Sequence, residues 1–247
     1  NGLKAIGVKT HNSEEIKADR IISGVDPKQT FINLVGAHNT EIEFSNRINR
    51  LRSNGYVAKF NLALSSLPSF MGLDSLRGRM LIAPTMDSIE FAWDDTKYGD
   101  YSQNPVLDMI VPTLFNPSMA PEGKHILSAN IMYIPYQKKG GWSEEDKNEL
   151  TEKIIDTISQ YSTNIRDNIL HSELLTPLDL ETEFNLTGGH WHHGELALDQ
   201  MLMMRPTYEA AQYRTPIDKL YLCSAGCHPG GGIMGAAGYN AAKEIIK

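Results

Sequence analysis

Cysteine is nearly absent from this sequence: Cys223 and Cys227 are the only two in 247 residues. So sparse a usage excludes a disulfide framework and fits a reducing compartment. Long apolar runs are missing as well. None approaches the roughly 18 residues that a membrane-spanning helix needs, and the mean hydropathy is −0.32, so no transmembrane segment is expected. Nor is there a block of Lys and Arg. The 23 basic residues are outnumbered by 30 acidic ones, for a net charge of −7, which argues against nucleic acid as a partner. The opening Asn1-Gly2-Leu3-Lys4 carries no initiator Met, no signal peptide and no Arg-rich presequence. It reads as a fragment opening in mid-strand, from a cytoplasmic protein or, in a eukaryote, one of the mitochondrial matrix. Also missing is a G-x-G-x-x-G that follows a first strand and precedes an acidic residue about 20 positions on, the mark of a dinucleotide-binding βαβ unit.

What is present suits a folded protein. Hydrophobic residues make up 41% and charged residues 21%, ordinary globular usage, and the length allows one large domain or two small ones with a real core. Residues 3–10 and 14–23 read as two strands around the polar turn His11-Asn12-Ser13. Asp26-Pro27 offers an N-cap and an N1 proline for a helix that Gly36 closes. Thr40 and Glu43 have capping-box spacing, and Phe44, Ile48 and Leu51 follow at helical intervals as far as Gly55. Tyr56, Ala58, Phe60, Leu62 and Leu64 alternate, which predicts a strand with one buried face.

Further on, a helix is expected over 87–98 and strands over 106–113 and 126–134. Ser143 with Asp146 caps a helix carrying Leu150, Ile154, Ile158 and Tyr161 on one side. Residues 169–175 read as a strand. A short strand at 219–225 is apolar on both faces, the pattern of a buried parallel strand. Strands and helices mix without repeating βαβ units, so the expected class is α+β, a mixed or antiparallel sheet with flanking helices.

The chemistry-bearing stretch is the C-terminus. There Leu220-Tyr221-Leu222-Cys223 runs through Gly226 to three consecutive glycines, Gly230-Gly231-Gly232, and then into a helix. Loop amides and a helix N-terminus present N–H donors and a partial positive charge to an anion. Gly232, Gly235 and Gly238 leave no side chain where a cofactor or a strand approaches closely. The same glycines also suit a flexible loop before a helix packed on a sheet, and spacing alone does not separate the two readings.

Tyr213-Arg214-Thr215-Pro216-Ile217, Leu220-Tyr221-Leu222-Cys223, His228-Pro229-Gly230-Gly231-Gly232 and Gly235 together resemble the C-terminal signature of phytoene-desaturase-like FAD-dependent oxidoreductases. Ordered matches to one branch, named for a pyridine nucleotide-disulfide oxidoreductase domain, run through almost the whole chain. They include Ala63-Leu64, Leu67-Pro68 and Phe70, then Leu175-Thr176-Pro177-Leu178-Asp179-Leu180-Glu181. Gly188-Gly189, His193-Gly194-Glu195, Asp199-Gln200 and Arg205-Pro206 complete the series.

The resemblance implies that Gly226, Cys227 and His228 lie along the ribityl-pyrophosphate of FAD, and that Gly231, Gly232, Ile233, Met234 and Gly235 approach the isoalloxazine ring. Three positions depart from the family pattern. Ser224 stands where Gly is common, Cys227 where Thr is usual and Tyr239 where Arg is usual. A hydroxyl is therefore absent at 227, with the hydrogen bond it would offer the cofactor. The resemblance further implies that 1–30 and 215–247 are remnants of an FAD-binding Rossmann-like domain, and that 31–214 binds an apolar small-molecule substrate. FAD is then expected in the intact protein but not in this part alone, with the missing N-terminal FAD-binding domain as partner and room for a homo-oligomer. A non-catalytic binding module and one chain of a split flavoprotein remain as alternatives.

The run His190-Trp191-His192-His193-Gly194-Glu195 has zinc-type donors, which His171 or His228 would extend. Its spacing matches neither H-E-x-x-H nor a finger pattern, so no metal is expected. His193 is the candidate catalytic residue, as proton donor or acceptor beside flavin or substrate; the other reading is a structural histidine bonding the backbone of a tight loop. Cys223 and Cys227 are not a C-x-x-C pair, and Cys223 reads as an inert core residue. Met201, Met203 and Met204 suit either a greasy substrate pocket or ordinary core packing.

Overall fold

In the computed structural model, which describes residues 3–247, the first apolar run makes three short strands rather than two. Strands β1 (Gly7–Lys9) and β2 (Glu15–Lys17) form an antiparallel hairpin around His11-Asn12-Ser13. The chain then breaks at Ala18-Asp19-Arg20, and β3 (Ile21–Ser23) pairs elsewhere. The expectation of a strand already under way at the first residue concerns Asn1 and Gly2, which lie outside the described residues.

Asp26 does cap, its Oδ1 accepting from the amides of Lys28 (2.9 Å) and Gln29 (3.0 Å). The helix that follows is a wide π-type turn over Gln29–Leu34, ended by Gly36 with φ +86°. Helix α1 (Ile42–Arg50) lacks the expected capping box. The Thr40 hydroxyl donates to the Ala37 carbonyl (3.1 Å), so Glu41 becomes the N-cap without a side-chain bond. The helix also closes at Leu51 rather than at Gly55.

Gly55–Leu180 is one of two compact units. It holds β4 (Val57–Leu64), β5 (Met80–Ile82), α2 (Met86–Lys97), β6 (Val106–Ile110), β7 (His125–Met132), α3 (Glu144–Ser159), α4 (Ile165–Asn168), β8 (Ile169–Leu175) and the start of α5 (Pro177–Phe184). Its five strands form an antiparallel sheet in the order β5-β6-β7-β4-β8. The alternation in β4 gives it one buried face, and pairing with β7 and β8 makes it an interior strand. Ala58, Phe60, Leu62 and Leu64 are fully buried, and Lys59, Asn61 and Ala63 take the other face. Helix α3, capped reciprocally by Ser143 and Asp146, lays Leu150, Ile154, Ile155 and Ile158 into the same core. Burying each large side chain there stabilises the unit by roughly 1.5–3 kcal/mol. Strand β6 ends three residues earlier than its apolar run, because Pro112 opens a 3-10 turn.

The second unit joins the residues up to Asn54 with Glu181–Lys247. Residues 31–54 and 181–214 thus pack with the terminal segments. Strand β9 (Leu220–Leu222), buried at all three positions, runs parallel to β3 in the register Ile21↔Leu220, Ile22↔Tyr221 and Ser23↔Leu222. Helix α6 (Ala236–Ile246) closes the chain. Phe31, Phe44, Ile48, Leu222, Cys227 and Ala241 share the core of this unit, with Phe31 and Phe44 edge to face at 4.8 Å. The class is α+β, an antiparallel sheet with helices in one unit and a short parallel pair in the other.

Candidate functional site

The glycine-rich loop after β9 is held by an arginine that no local pattern singled out. Arg205 is 3% exposed and forms no ion pair among the described residues. Its guanidinium donates only to main-chain carbonyls. Nη2 reaches those of His192 (2.6 Å), Gly194 (3.2 Å) and Ala225 (2.9 Å), Nη1 those of Glu195 (3.0 Å) and Gln200 (3.3 Å), and Nε that of Ala225 again (3.1 Å). One cation therefore ties the histidine segment to the entry of the glycine-rich loop. Its five N–H groups in a rigid fork suit this many acceptors, which a lysine could not reach. Burial pushes its pKa down from the ordinary arginine value.

The neighbouring residues of the family-like pattern are engaged in similar ties. Glu195 accepts from Arg52 Nε (3.2 Å) and Asn54 Nδ2 (3.1 Å), and Asp199 accepts two bonds from Arg52 (2.9 and 2.6 Å). Gln200 bonds both the amide (2.6 Å) and the carbonyl (3.1 Å) of Arg52. Buried Asp26, beyond capping its helix, accepts from the Thr187 hydroxyl at 2.8 Å. Glycine is required where these segments touch. A Cβ on Gly188 would overlap the Ser53 carbonyl, one on Gly226 the Pro27 ring, and one on Gly231 the His192 ring.

The sequence-predicted residues fall in two adjoining places. Ser224 Oγ accepts from the Gly226 amide (3.2 Å) and its carbonyl from the Cys227 amide (3.0 Å), closing the turn into the loop. Cys227 is fully buried and burial pushes its thiol up to about 12, so it is a packed thiol and not a nucleophile. Cys223, half-buried, donates its amide to the Ser23 carbonyl (3.0 Å). The His228 carbonyl accepts from the Tyr213 hydroxyl (2.9 Å), which accepts in turn from Asn240 Nδ2 of α6 (2.9 Å).

Beyond it, Gly232 (φ +101°) and Gly235 (φ +66°) take left-handed conformations that suit glycine, while Ile233 and Met234 stand exposed. No hydrogen bond within the described residues reaches the amides of residues 230–235.

His193 lies in the histidine segment with φ +57°, its amide donating to the His190 carbonyl at 2.9 Å. Burial, offset in part by Asp26, lowers its pKa from the usual imidazole value, and burial with the neighbouring His192 pushes His190 down to about 4. The Nδ1 atoms of His193 and His228 are buried and have no hydrogen-bond partner among the described residues. Among the described residues, no three His, Cys, Asp or Glu side chains are grouped to hold a metal ion. Met203 and Met204 stand outside the core, 72% and 46% exposed, while Met201 is partly buried. The sequence signals for Arg205 were its place, with Pro206, in the family-like series and a lone charge at the end of the apolar stretch 201–204; neither showed what it would bond.

No family model matches the chain. It is 35% identical over 256 residues to pyridine nucleotide-disulfide oxidoreductase domain-containing protein 2 of Mus musculus, a match covering 99% of the chain and 44% of that protein. It is 23% identical over 243 residues to the lycopene-forming phytoene desaturase of Paracoccus sp., covering 96% of the chain and 46% of the relative. Among solved structures, cyclohexylamine oxidase from Brevibacterium oxydans IH-35A superposes with a TM-score of 0.50 at 12% identity, over 95% of the chain and 45% of that structure. At that identity the likeness is one of fold alone. The chain spans less than half the length of the curated relatives it matches.

Proposed function

We propose that this chain, homologous to the C-terminal half of pyridine nucleotide-disulfide oxidoreductase domain-containing protein 2 and to phytoene desaturase, is the substrate-binding and flavin-lining part of an FAD-dependent oxidoreductase acting on an apolar small molecule. The observation that carries the reading is the loop 230–235. Six consecutive amides without acceptors, two left-handed glycines and two exposed apolar side chains form a cradle that suits a group both polar and flat. The orphaned Nδ1 of His228 beside it asks for a partner.

In this reading Gly226, Cys227 and His228 line the ribityl-pyrophosphate, and Gly231, Gly232, Ile233, Met234 and Gly235 line the ring. Bound flavin supplies the hydride acceptor. The chain's own residues fix the loop through Arg205, keep water from the reacting face, and offer the neutral imidazole of His193 as the group that takes or holds a proton. Cys227 supplies packing only.

The missing N-terminal FAD-binding domain is the proposed partner. A cavity of about 610 Å³ beside β3 is lined by Leu3, Ile6, Val8, Ile22, Val25 and Leu34, all substantially exposed, and a parallel sheet of only two strands invites further pairing. The test is FAD retention through gel filtration by the 247-residue chain and by the full-length protein. We expect the chain alone to emerge colourless and the full-length protein to keep near-stoichiometric flavin. Stoichiometric flavin on the chain alone, or none on the full-length protein, would refute the assignment.

A further inference from the structure

The net charge of the chain has a single source. Helix α2 carries four acidic residues against one lysine, and α3 six against two. Acidic and basic residues balance over the rest of the sequence, so the excess of −7 belongs to these two helices. On α3 most of the charge is paired within the unit. Arg166 meets Glu152 and Asp156, Lys153 meets Glu149, and Lys147 meets Glu144. On α2 Asp94 has a partner in Lys97, whereas Asp87, Glu90 and Asp95 form no ion pair among the described residues.

Helix α2 is firmly placed. Thr85 and Ser88 form a reciprocal capping box at its start. The Thr96 hydroxyl donates to the Tyr133 carbonyl, and the Trp93 ring packs against those of Tyr56 (5.0 Å) and Tyr133 (5.6 Å). Phe91 of the same helix nonetheless stays 67% exposed. With Ser88 it forms one wall of a cavity of about 210 Å³. Ile82 and Val106 of the neighbouring strands, and Thr157 and Tyr161 at and beyond the end of α3, form the others. No lining residue is charged. The cavity is smaller than the ~300–1,000 Å³ of a small-molecule site, and suits one large apolar side chain. Residues three and four positions apart share a helix face, so Asp87, Asp94 and Asp95 bracket Phe91 at its rim.

We propose that this groove between α2 and α3 docks a protein segment with one aliphatic or aromatic anchor flanked by Lys or Arg. The anchor fills the cavity against Phe91, and the flanking cations meet the unpaired carboxylates of α2. Burying the anchor supplies affinity, while the ring of charge supplies on-rate and choice of partner. A helix already fixed by its cap and its aromatic contacts costs little to order on binding. A second copy of this chain does not suit the groove, because it would set acidic helix against acidic helix. The groove lies wholly within Gly55–Leu180 and includes no residue of the glycine-rich loop, so it stands independently of the flavin reading.

The experiment titrates three fluorescent pentapeptides, Lys-Arg-Leu-Arg-Lys, Lys-Arg-Gly-Arg-Lys and Glu-Asp-Leu-Asp-Glu, with the full-length protein at low ionic strength. Anisotropy reads the affinities. The first peptide should bind saturably, the second about tenfold more weakly for want of the buried leucine, and the third not at all. Phe91→Ala should bring the two basic peptides together. Glu90→Lys should weaken both by about threefold or more. Glu122→Lys changes the net charge equally but sits in the loop before β7, and should leave both unaltered. Phe91, Glu90 and Glu122 are all exposed, so thermal unfolding of each variant should match the wild type. Equal affinities for the leucine and glycine peptides, equal weakening by Glu90→Lys and Glu122→Lys, or no saturable binding of the first peptide would each overturn the proposal. So would a dimer of the protein that Phe91→Ala dissolves, which would assign the groove to a second copy.

Discussion

The histidines show how burial, helped by one cation, sets the chemistry of a loop. His190, His192 and His193 sit beside Arg205, whose charge adds to burial in lowering the pKa of each. They are therefore neutral at pH 7, which leaves His193 able to accept a proton and removes any electrostatic reason for the segment to repel Arg205. The same fact carries a linkage. In the unfolded chain an imidazole protonates near 6.5, whereas folded His190 resists until about 4. A base with a lowered folded pKa contributes stability that is complete above the unfolded value and is lost as pH falls from about 6.5 to 4. For His190, only partly buried, solvent screening reduces the loss to about 2–3 kcal/mol. Urea midpoints of the wild type and His190→Asn, compared across that range, should converge on acidification. Parallel pH profiles would show that His190 is not buried in this way. None of this was readable in the run of histidines itself, because the burial and the Arg205 charge belong to the folded loop and not to the run.

At the level of elements, local signals were legible where their partners lie within a turn or two. The alternation of β4 fixed its buried face, and the Ser143–Asp146 pair formed the expected box. There Asp146 accepts from both the amide (2.9 Å) and the hydroxyl (2.7 Å) of Ser143, while the Ser143 hydroxyl accepts from the Asp146 amide at 3.1 Å. Ser143→Ala should cost about 1 kcal/mol, read as a lower denaturant midpoint with unchanged slope. A change under a few tenths would mean that Lys138, which also pairs with Asp146, holds the helix start alone. The analogous pattern at Thr40 and Glu43 failed because the Thr40 hydroxyl has a nearer acceptor in the preceding 3-10 turn. Strand β3 was misjudged for a different reason. Its partner β9 lies about 200 residues away in the sequence, and no window of local periodicity contains that information.

For the whole molecule, the α+β class was legible from composition and element order. Arg205 stood in the family-like series as a matched residue, but its hold on the glycine-rich loop was not legible. The described residues include no helix long and apolar enough to cross a membrane. The unit containing both termini presents the cradle. The central claim is that this cradle meets flavin, and Gly232 is the place to test it. A Cβ there has open space except for the Met234 methyl at 3.4 Å, so a substitution leaves the core intact. Its φ of +101° makes any side chain strained by about 1–3 kcal/mol and would displace the loop from a ligand. The measurement is the flavin-to-protein absorbance ratio of full-length wild type, Gly232→Val and Cys227→Ser, with thermal unfolding of each as a control on the fold. Gly232→Val should lose its flavin while remaining folded, and Cys227→Ser should keep both. A Gly232→Val protein with its full complement of FAD would place the cofactor elsewhere and contradict the account.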